Sequence, residues 1–351
     1  CETDATITFT QPTALLPGDI EASQVICFGD DPAPFTELVP ASGGPGGYAY
    51  QWQMASVPAG PYMNIPMATG ATYDPPAGLA STTYYRREVR SGLCAAEYSD
   101  TLEVVVNELP SGLLTGGETI CPGETSILNV AISSGLGPFE VEIENHGIVP
   151  GYNTGEDISV SPAVTTSYRL LRITDSNNCE VLDPSGYLNG SATVTVRDLP
   201  VITADPADVT TCEYSTVIFD ATATGSELTY QWEVNDGSTW STVTDGGTYS
   251  GSVTNSLRIF SALRGMDNYQ YRMIASNCGT ADTTAVVTLD VEVAPAITDQ
   301  PEDSTICEGD NATFSVNATG DNLVYTWYVN DGVSTTALVN GGIYSGQGTP
   351  T

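Results

Sequence analysis

Eight cysteines fall into two interleaved series, and their spacing sets the size of the folding unit. One series, Cys27, Cys121, Cys212 and Cys307, advances by 94, 91 and 95 residues; the other, Cys1, Cys94, Cys179 and Cys278, advances by 93, 85 and 99. A proline recurs at each junction, at Pro12, Pro110, Pro200 and Pro295. A period of about 90 to 100 residues is too long for a solenoid repeat and is the size of one β-sandwich domain. The 351 residues therefore divide into the end of a preceding repeat (1–22, a last strand and linker), domains at 23–108, 109–199 and 200–294, and an incomplete fourth unit at 295–351. That last unit is either a window cut from a longer protein or is completed by a neighbour.

The clearest repeat runs from Cys212 to Ala294. Its segments TVIFDATATG, LTYQWEV, SLRIFSAL, YQYRMIAS and AVVTLDVEV alternate apolar and polar residues and are bounded by Gly, Asn, Asp or Ser. Period-two alternation between turn residues predicts strands, and helical periodicity does not extend beyond a turn. Short strands in succession predict an antiparallel sandwich. Trp52 in YAYQWQM, Trp232 in LTYQWEV and Trp327 in VYTWYV are the expected core aromatics, and Phe139 in PFEVEI takes that place in the second domain. Trp240 and the turns GGTYSG and GGIYSG are the aromatics open to a binding role instead.

Composition removes several function classes. All 9 basic residues are Arg, against 43 acidic side chains, and the net charge is −34. Phosphate binding needs a basic footprint, so nucleic acid is excluded as a partner, and an anionic membrane surface would repel the chain. Membrane insertion is not expected, because no apolar stretch approaches the roughly 18 residues of a span. Acidity of this kind keeps an exposed surface solvated and self-repelling. Ca²⁺ is the one cofactor it could attract, yet no Asp-rich loop recurs at a fixed junction position. The lone histidine, His146, lies in the turn ENHGIV, and no Ser/His/Asp, Cys/His, zinc-binding or phosphate-cradling motif is present. A non-enzymatic chain is expected. Cysteines in even number at repeated positions predict disulfides and an oxidising, extracellular setting.

The run CEYSTVIFDATATGSELTYQW followed by LRIFSALRGMDNYQYRM resembles an immunoglobulin-like domain, with strand B, strand C and its Trp, strand E, and an Asp-x-x-x-Tyr entry to strand F. More narrowly, YQWEVNDGSTWSTVTDGGTYSG, TWYVNDGVSTTALVNGGIYSG, YYRREVRSGLC and YRLLRITDSNNC resemble the tandem Ig-like repeats of very large secreted surface proteins of Bacteroidota. Many of those are gliding adhesins or substrates of type IX secretion. The resemblance covers nearly the whole chain. It implies an all-β fold: serial immunoglobulin-like β-sandwich domains in an elongated array at the cell surface, touching neighbouring repeats of the same protein or fibre.

On the Ig strand order, the usual inter-sheet disulfide falls near Ala221 and Met273, which are apolar. Cys212 lies in the turn before strand B and Cys278 in the turn after strand F. These strands run the same way, so the two turns occupy opposite poles. A strand of about seven residues at ~3.3 Å each puts roughly 20 Å or more between them, whereas a disulfide needs Cα atoms within about 7 Å. Head-to-tail stacking instead brings Cys27 to Cys179 and Cys121 to Cys278, each across a domain boundary. Cys1 and Cys94 then pair upstream, and Cys212 and Cys307 downstream. The alternative of one bridge per domain (Cys27–Cys94, Cys121–Cys179, Cys212–Cys278) holds if the strands depart from Ig topology.

The expected function is structural: a segment of an extracellular cell-surface fibre, stalk or adhesin. Alternatives are a module binding a surface glycan or protein ligand, or accessory domains of a secreted hydrolase. Without Lys, Lys–Asn isopeptide bonds are unavailable, and disulfides are the remaining covalent staple. The resemblance also implies a glycoprotein, with Asp-Ser/Thr-x acceptors at Thr101, Thr283 and Ser304; the sequons at Asn189, Asn311 and Asn317 matter only in a eukaryotic source. Short proline-marked linkers leave little room for bending, so small-angle scattering should give the profile of an extended particle. A compact profile would contradict the serial arrangement.

Overall fold

Alternating segments become strands where a turn lets them find a partner, and the computed structural model describes this over residues 11–351. Cys1 and the strand expected around it lie outside the described residues. The chain divides into two compact units, one ending at Val196 and one spanning Arg197–Thr351. The fold is serial immunoglobulin-like β-sandwiches, with a single 3-10 turn at Arg264–Met266 among the described residues. Among the same residues no helix is long and apolar enough to cross a membrane.

Two sandwiches build the first unit. In one, the large sheet runs in the order Gln24–Cys27, Leu102–Asn107, Thr83–Ser91, Tyr48–Ala55, Met63–Asn64. Opposite it lie Asp19–Ile20 paired with Glu37–Val39 and bridges joining Leu16 to Ser42 and Phe35 to Tyr73. The segment 11–22, expected to be linker, thus contributes a strand, and Leu15 is buried. Leu15 and Ile20 are apolar and can reach the core once Pro17–Gly18 turns the chain. Trp52 packs in that core with Phe35, Tyr85, Leu102 and Val104.

In the second sandwich the large sheet runs Thr119–Ile120, Ser191–Val196, Thr166–Thr174, Phe139–Ile143, Gly147–Tyr152. The facing sheet runs Asp157–Val160, Ser126–Ser134, Ser111–Gly116, Leu188–Asn189. The chain crosses between sheets at Gly116 and Gly117, whose φ values of 109° and 86° suit glycine. A Cβ on Gly117 would sit 2.5 Å from the Thr193 carbonyl oxygen. Phe139 lies in this core with Val141, Tyr168 and Ile173.

The second unit holds the sandwich whose large sheet runs Val209–Cys212, Val287–Glu292, Tyr269–Asn277, Thr229–Asn235, Trp240–Thr242. The stretch TVIFDATATG forms two strands, Val217–Asp220 and Thr222–Thr224, because these pair with different neighbours, Ser256–Ile259 and Val201–Ala204. Trp232, Phe219, Tyr271 and Met273 fill the core. Beyond it, Ala296–Asp299 pairs with Asn317–Thr319 and Tyr328–Asn330 with Thr335–Ala337.

One bond recurs at each core tryptophan position. The indole N–H donates to a carbonyl: Trp52 to Gly70 at 3.1 Å, Trp232 to Thr254 at 2.8 Å and Trp327 to Thr349 at 2.9 Å. This satisfies the one polar atom of a side chain that is otherwise apolar. Trp327 departs from the expectation of a core residue. It is half-buried and lines a cavity of about 390 Å³ with Ile297, Val316 and Leu323. Trp52 and Trp232 are covered by Thr83–Ser91 and Tyr269–Asn277. Among the described residues, Tyr328–Asn330 pairs with Thr335–Ala337 alone. Trp52→Ala and Trp232→Ala should each destabilise their own sandwich by about 3–5 kcal/mol, and Trp327→Ala by clearly less. Hydrogen exchange resolved by segment is the measurement.

Candidate functional site

The turns that hold the cysteines are built by carboxylates and backbone. At the first series, a carbonyl bond from the cysteine to the residue three places on closes each turn: Asp30 N–H to Cys27 O at 3.0 Å, Glu124 to Cys121 at 3.0 Å, Ser215 to Cys212 at 3.2 Å, Asp310 to Cys307 at 3.1 Å. Asp30 and Glu124 also accept from the cysteine N–H, at 3.0 and 2.8 Å. At Cys27, Cys121 and Cys212 the turn follows the first strand of a large sheet, where Cys27 pairs with Asn107 and Cys212 with Glu292. At Cys179 the buried Asp175 organises the closing turn. One carboxylate oxygen accepts from Asn177 and Cys179, both at 2.9 Å, and the other from Leu136 at 3.0 Å.

Cys27 and Cys179 are joined, with Cα atoms 5.5 Å apart and a sequence separation of 152. The bridge links the opening turn of one sandwich to the closing turn of the next. Cys121 and Cys278 are also half-cystines. Cys94, half-buried, and the exposed Cys212 and Cys307 are free thiols. The intradomain alternative is therefore corrected: Cys27 and Cys179 are taken by each other, and Cys212 is free while Cys278 is not. Opposite poles of a sandwich are too far apart for a bridge.

Sequence reasoning missed Arg87. It lies on Thr83–Ser91 opposite Trp52, where the other unit sets Met273 opposite Trp232. Arg87 is fully buried. Nη1 donates to Glu37 Oε1 and to Ala71 O, and Nη2 to Pro17 O, all at 2.7 Å. The guanidinium carbon lies 4.7 Å from the Tyr50 ring centroid, and Nε has no protein partner. Glu37 sits on the facing sheet, so the ion pair ties the two layers together. The signal was parity: Tyr85, Arg87 and Val89 share one face of the strand, and the outer two are buried. Burial also pushes the Tyr85 phenol up to about 12, so it stays neutral inside its aromatic cluster.

The large sheets also carry Arg86, Arg90, Arg169, Arg172 and Arg272. Arg86 lies between Tyr62 and Tyr98, 4.0 and 4.1 Å from their centroids. Arg172 contacts Glu140, Glu142 and Glu180 at 2.7, 3.0 and 3.3 Å. Arg272 pairs with Glu233 at 2.6 Å and stacks 4.1 Å above Trp240. Trp240, open to a binding role by sequence, thus has one ring face occupied. Pairs this exposed contribute about 0–1 kcal/mol each.

The other expected residues are scattered. Thr101, Thr283 and Ser304 are exposed, and Thr101 Oγ1 lies 3.2 Å from the Tyr62 hydroxyl. His146 is exposed in its turn, beside a cavity of about 410 Å³ lined by Asn145, Ser161 and Tyr168. Among the described residues no group of three or more His, Cys, Asp or Glu is placed to hold a metal ion.

Residues 16–108 match the family described as a domain of unknown function, DUF8696. The chain is 32% identical over 127 residues to endoglucanase C of Cellulomonas fimi, covering 36% of this chain and 11% of that protein. It is 31% identical over 188 residues to inactive tyrosine-protein kinase 7 of Gallus gallus, covering 49% and 17%. The chain thus spans less than a fifth of the length of either relative. Solved structures it is similar to include the I-band fragment I67–I69 of titin (13% identity, 81% of this chain and 99% of that one, TM-score 0.45) and immunoglobulin domains 1–5 of Sidekick-1 (17%, 92% and 69%, TM-score 0.31).

Removing one partner of a buried pair strands the other charge. Arg87→Ala should destabilise its sandwich by about 3–5 kcal/mol, whereas Arg87→Met combined with Glu37→Ala should come close to the parent stability. Equilibrium denaturation of both variants is the check; equal losses would contradict the ion-pair account.

Proposed function

We propose that this chain is a structural segment of an extracellular surface fibre, stalk or adhesin, serving to hold partners at a distance under load. The observation that carries the reading is the pairing of first with last strand in each large sheet. Gln24–Cys27 runs parallel to Leu102–Asn107, Thr119–Ile120 to Ser191–Val196, and Val209–Cys212 to Val287–Glu292. Tension applied at the two ends of a sandwich pulls such a pair in shear, so its hydrogen bonds resist together rather than one by one. In the second unit carboxylates add to this edge. Asp205 accepts from Ala285 N–H, Asp208 from Thr288 N–H and Asp282 from Ile202 N–H, each at 2.7 Å.

A Cys121–Cys278 bridge of the Cys27–Cys179 type, a secreted origin like that of the Bacteroidota surface proteins it resembles, and glycans at Thr101, Thr283 and Ser304 complete this reading. Neighbouring repeats or partner proteins are the expected contacts. A second reading, accessory domains of a secreted hydrolase, is favoured by the similarity to the endoglucanase. Single-molecule pulling tests the first. Asp205→Ala with Asp208→Ala should lower the unfolding force of the sandwich that contains them and leave the others unchanged. Unfolding of the parent chain at forces no higher than a sandwich loaded strand by strand would sink the load-bearing role.

A further inference from the structure

We propose that the cavity beside His146 binds a neutral sugar residue, free or at the end of a glycan chain. The inference adds to the load-bearing reading and does not depend on it. The cavity has a volume of about 410 Å³, within the roughly 300–1,000 Å³ of small-molecule sites. It opens at one edge of the second sandwich, where Gly147–Tyr152 ends the large sheet and Asp157–Val160 ends the facing one. Its lining comes from the turn at Asn145 and His146, from residues 159–163 and from the start of Thr166–Thr174.

Tyr168 carries the argument. It is a core residue with 3% of its surface exposed, yet its hydroxyl has no protein partner among the described residues. Buried tyrosine hydroxyls ordinarily find one. The same strand of the other two sandwiches shows the alternatives. On Tyr269–Asn277 the Tyr271 hydroxyl meets that of Tyr249 at 3.2 Å, and on Thr83–Ser91 the Tyr85 hydroxyl is sealed in without a partner. The Tyr168 hydroxyl is neither paired nor sealed, so the cavity that Tyr168 lines is where it meets solvent or a ligand. Burial pushes its phenol up, so at neutral pH the hydroxyl is intact and can both donate and accept.

The remaining lining selects the ligand. Among the described residues no Asp, Glu or Arg lines the cavity, which leaves a cation without a counter-charge, and the net charge of −34 repels anions. What is offered is hydrogen bonding by neutral groups. Ser161 and Thr166 donate their hydroxyls to the Glu124 and Val164 carbonyls at 2.8 and 2.7 Å, which leaves their lone pairs free to accept. The Asn145 amide nitrogen donates to Ser167 O at 2.9 Å and keeps its own oxygen for an incoming donor. Val160, Pro162 and Ala163 supply an apolar remainder. Several acceptors, one hydroxyl that also donates and a short apolar strip match a ring that carries both hydroxyls and C–H bonds. A wholly apolar ligand would leave the polar groups unpaired.

The full chain is titrated with the methyl glycosides of glucose, galactose, mannose and N-acetylglucosamine, with disaccharides ending in each, and with glycerol as a polyol that lacks the ring. Amide chemical shifts in NMR spectra are the readout. At least one sugar should bind with a Kd on the order of 1 mM, shifting residues 145–146, 159–163 and 166–168. A disaccharide that binds more tightly than its monosaccharide identifies a glycan chain as the source, and equal affinity identifies the free sugar. Tyr168→Phe removes only an oxygen that no protein group holds, so melting should be unchanged while affinity falls roughly three- to tenfold. Should that variant melt early, the shift map of the parent chain still decides. Absence of shifts at these residues with every sugar, equal binding of glycerol, or a stable Tyr168→Phe with undiminished affinity would overturn the proposal. None of these outcomes bears on the unfolding force, so the two readings fail separately.

Discussion

The opening segment of each sandwich begins on one sheet and finishes on the other, and the later strands depend on that crossing. In the second sandwich, Ser111–Gly116 pairs with Ser126–Ser134 before the glycine pair sends Thr119–Ile120 across to Ser191–Val196. In the other two the crossing lies between Glu21 and Gln24, and between Ala204 and Val209, where Asp205–Pro206 stands. The crossing closes one edge of both layers with a single stretch of chain. It also puts the cysteine of the opening turn at the pole where the next sandwich begins, so the covalent link at the junction and the closure of the core have one origin.

The cores answer differently the question of what should face the tryptophan. Met273 meets Trp232 with apolar contact, while Arg87 meets Trp52 with a charge matched by Glu37 and two carbonyls. Desolvation of a guanidinium costs several kcal/mol, and attraction to one carboxylate only returns it when the other donors are satisfied too. Three of the bonds are made and Nε is left over. Covalent cross-linking has meanwhile moved out of the sandwich interior to its ends.

The strands around Trp52, Phe139 and Trp232 were readable because alternation and turn residues act locally, over distances that a sequence displays. So were the two positional classes of cysteine. Arg87 has the inward parity of Tyr85 and Val89, yet a charge inside YYRREVR can be placed in a core only once the facing Glu37 is known. Asp19–Ile20 was hidden by its length, too short for alternation to register. Trp327 shares its motif with Trp232, yet burial belongs to the strands that cover a side chain, and a motif records only the residue to be covered.

The arrangement of the arginines reaches beyond stability. With no lysine, a trypsin-like protease is limited to nine arginyl bonds, and seven of these lie on strands: Arg86, Arg87, Arg90, Arg169, Arg172, Arg258 and Arg272. Such enzymes need several residues of unpaired chain on both sides of the bond, which a strand provides only after it has left its sheet. Cleavage there tracks local opening rather than surface exposure. The same residues thus make this class of digestion a gauge of whether the sandwiches are intact.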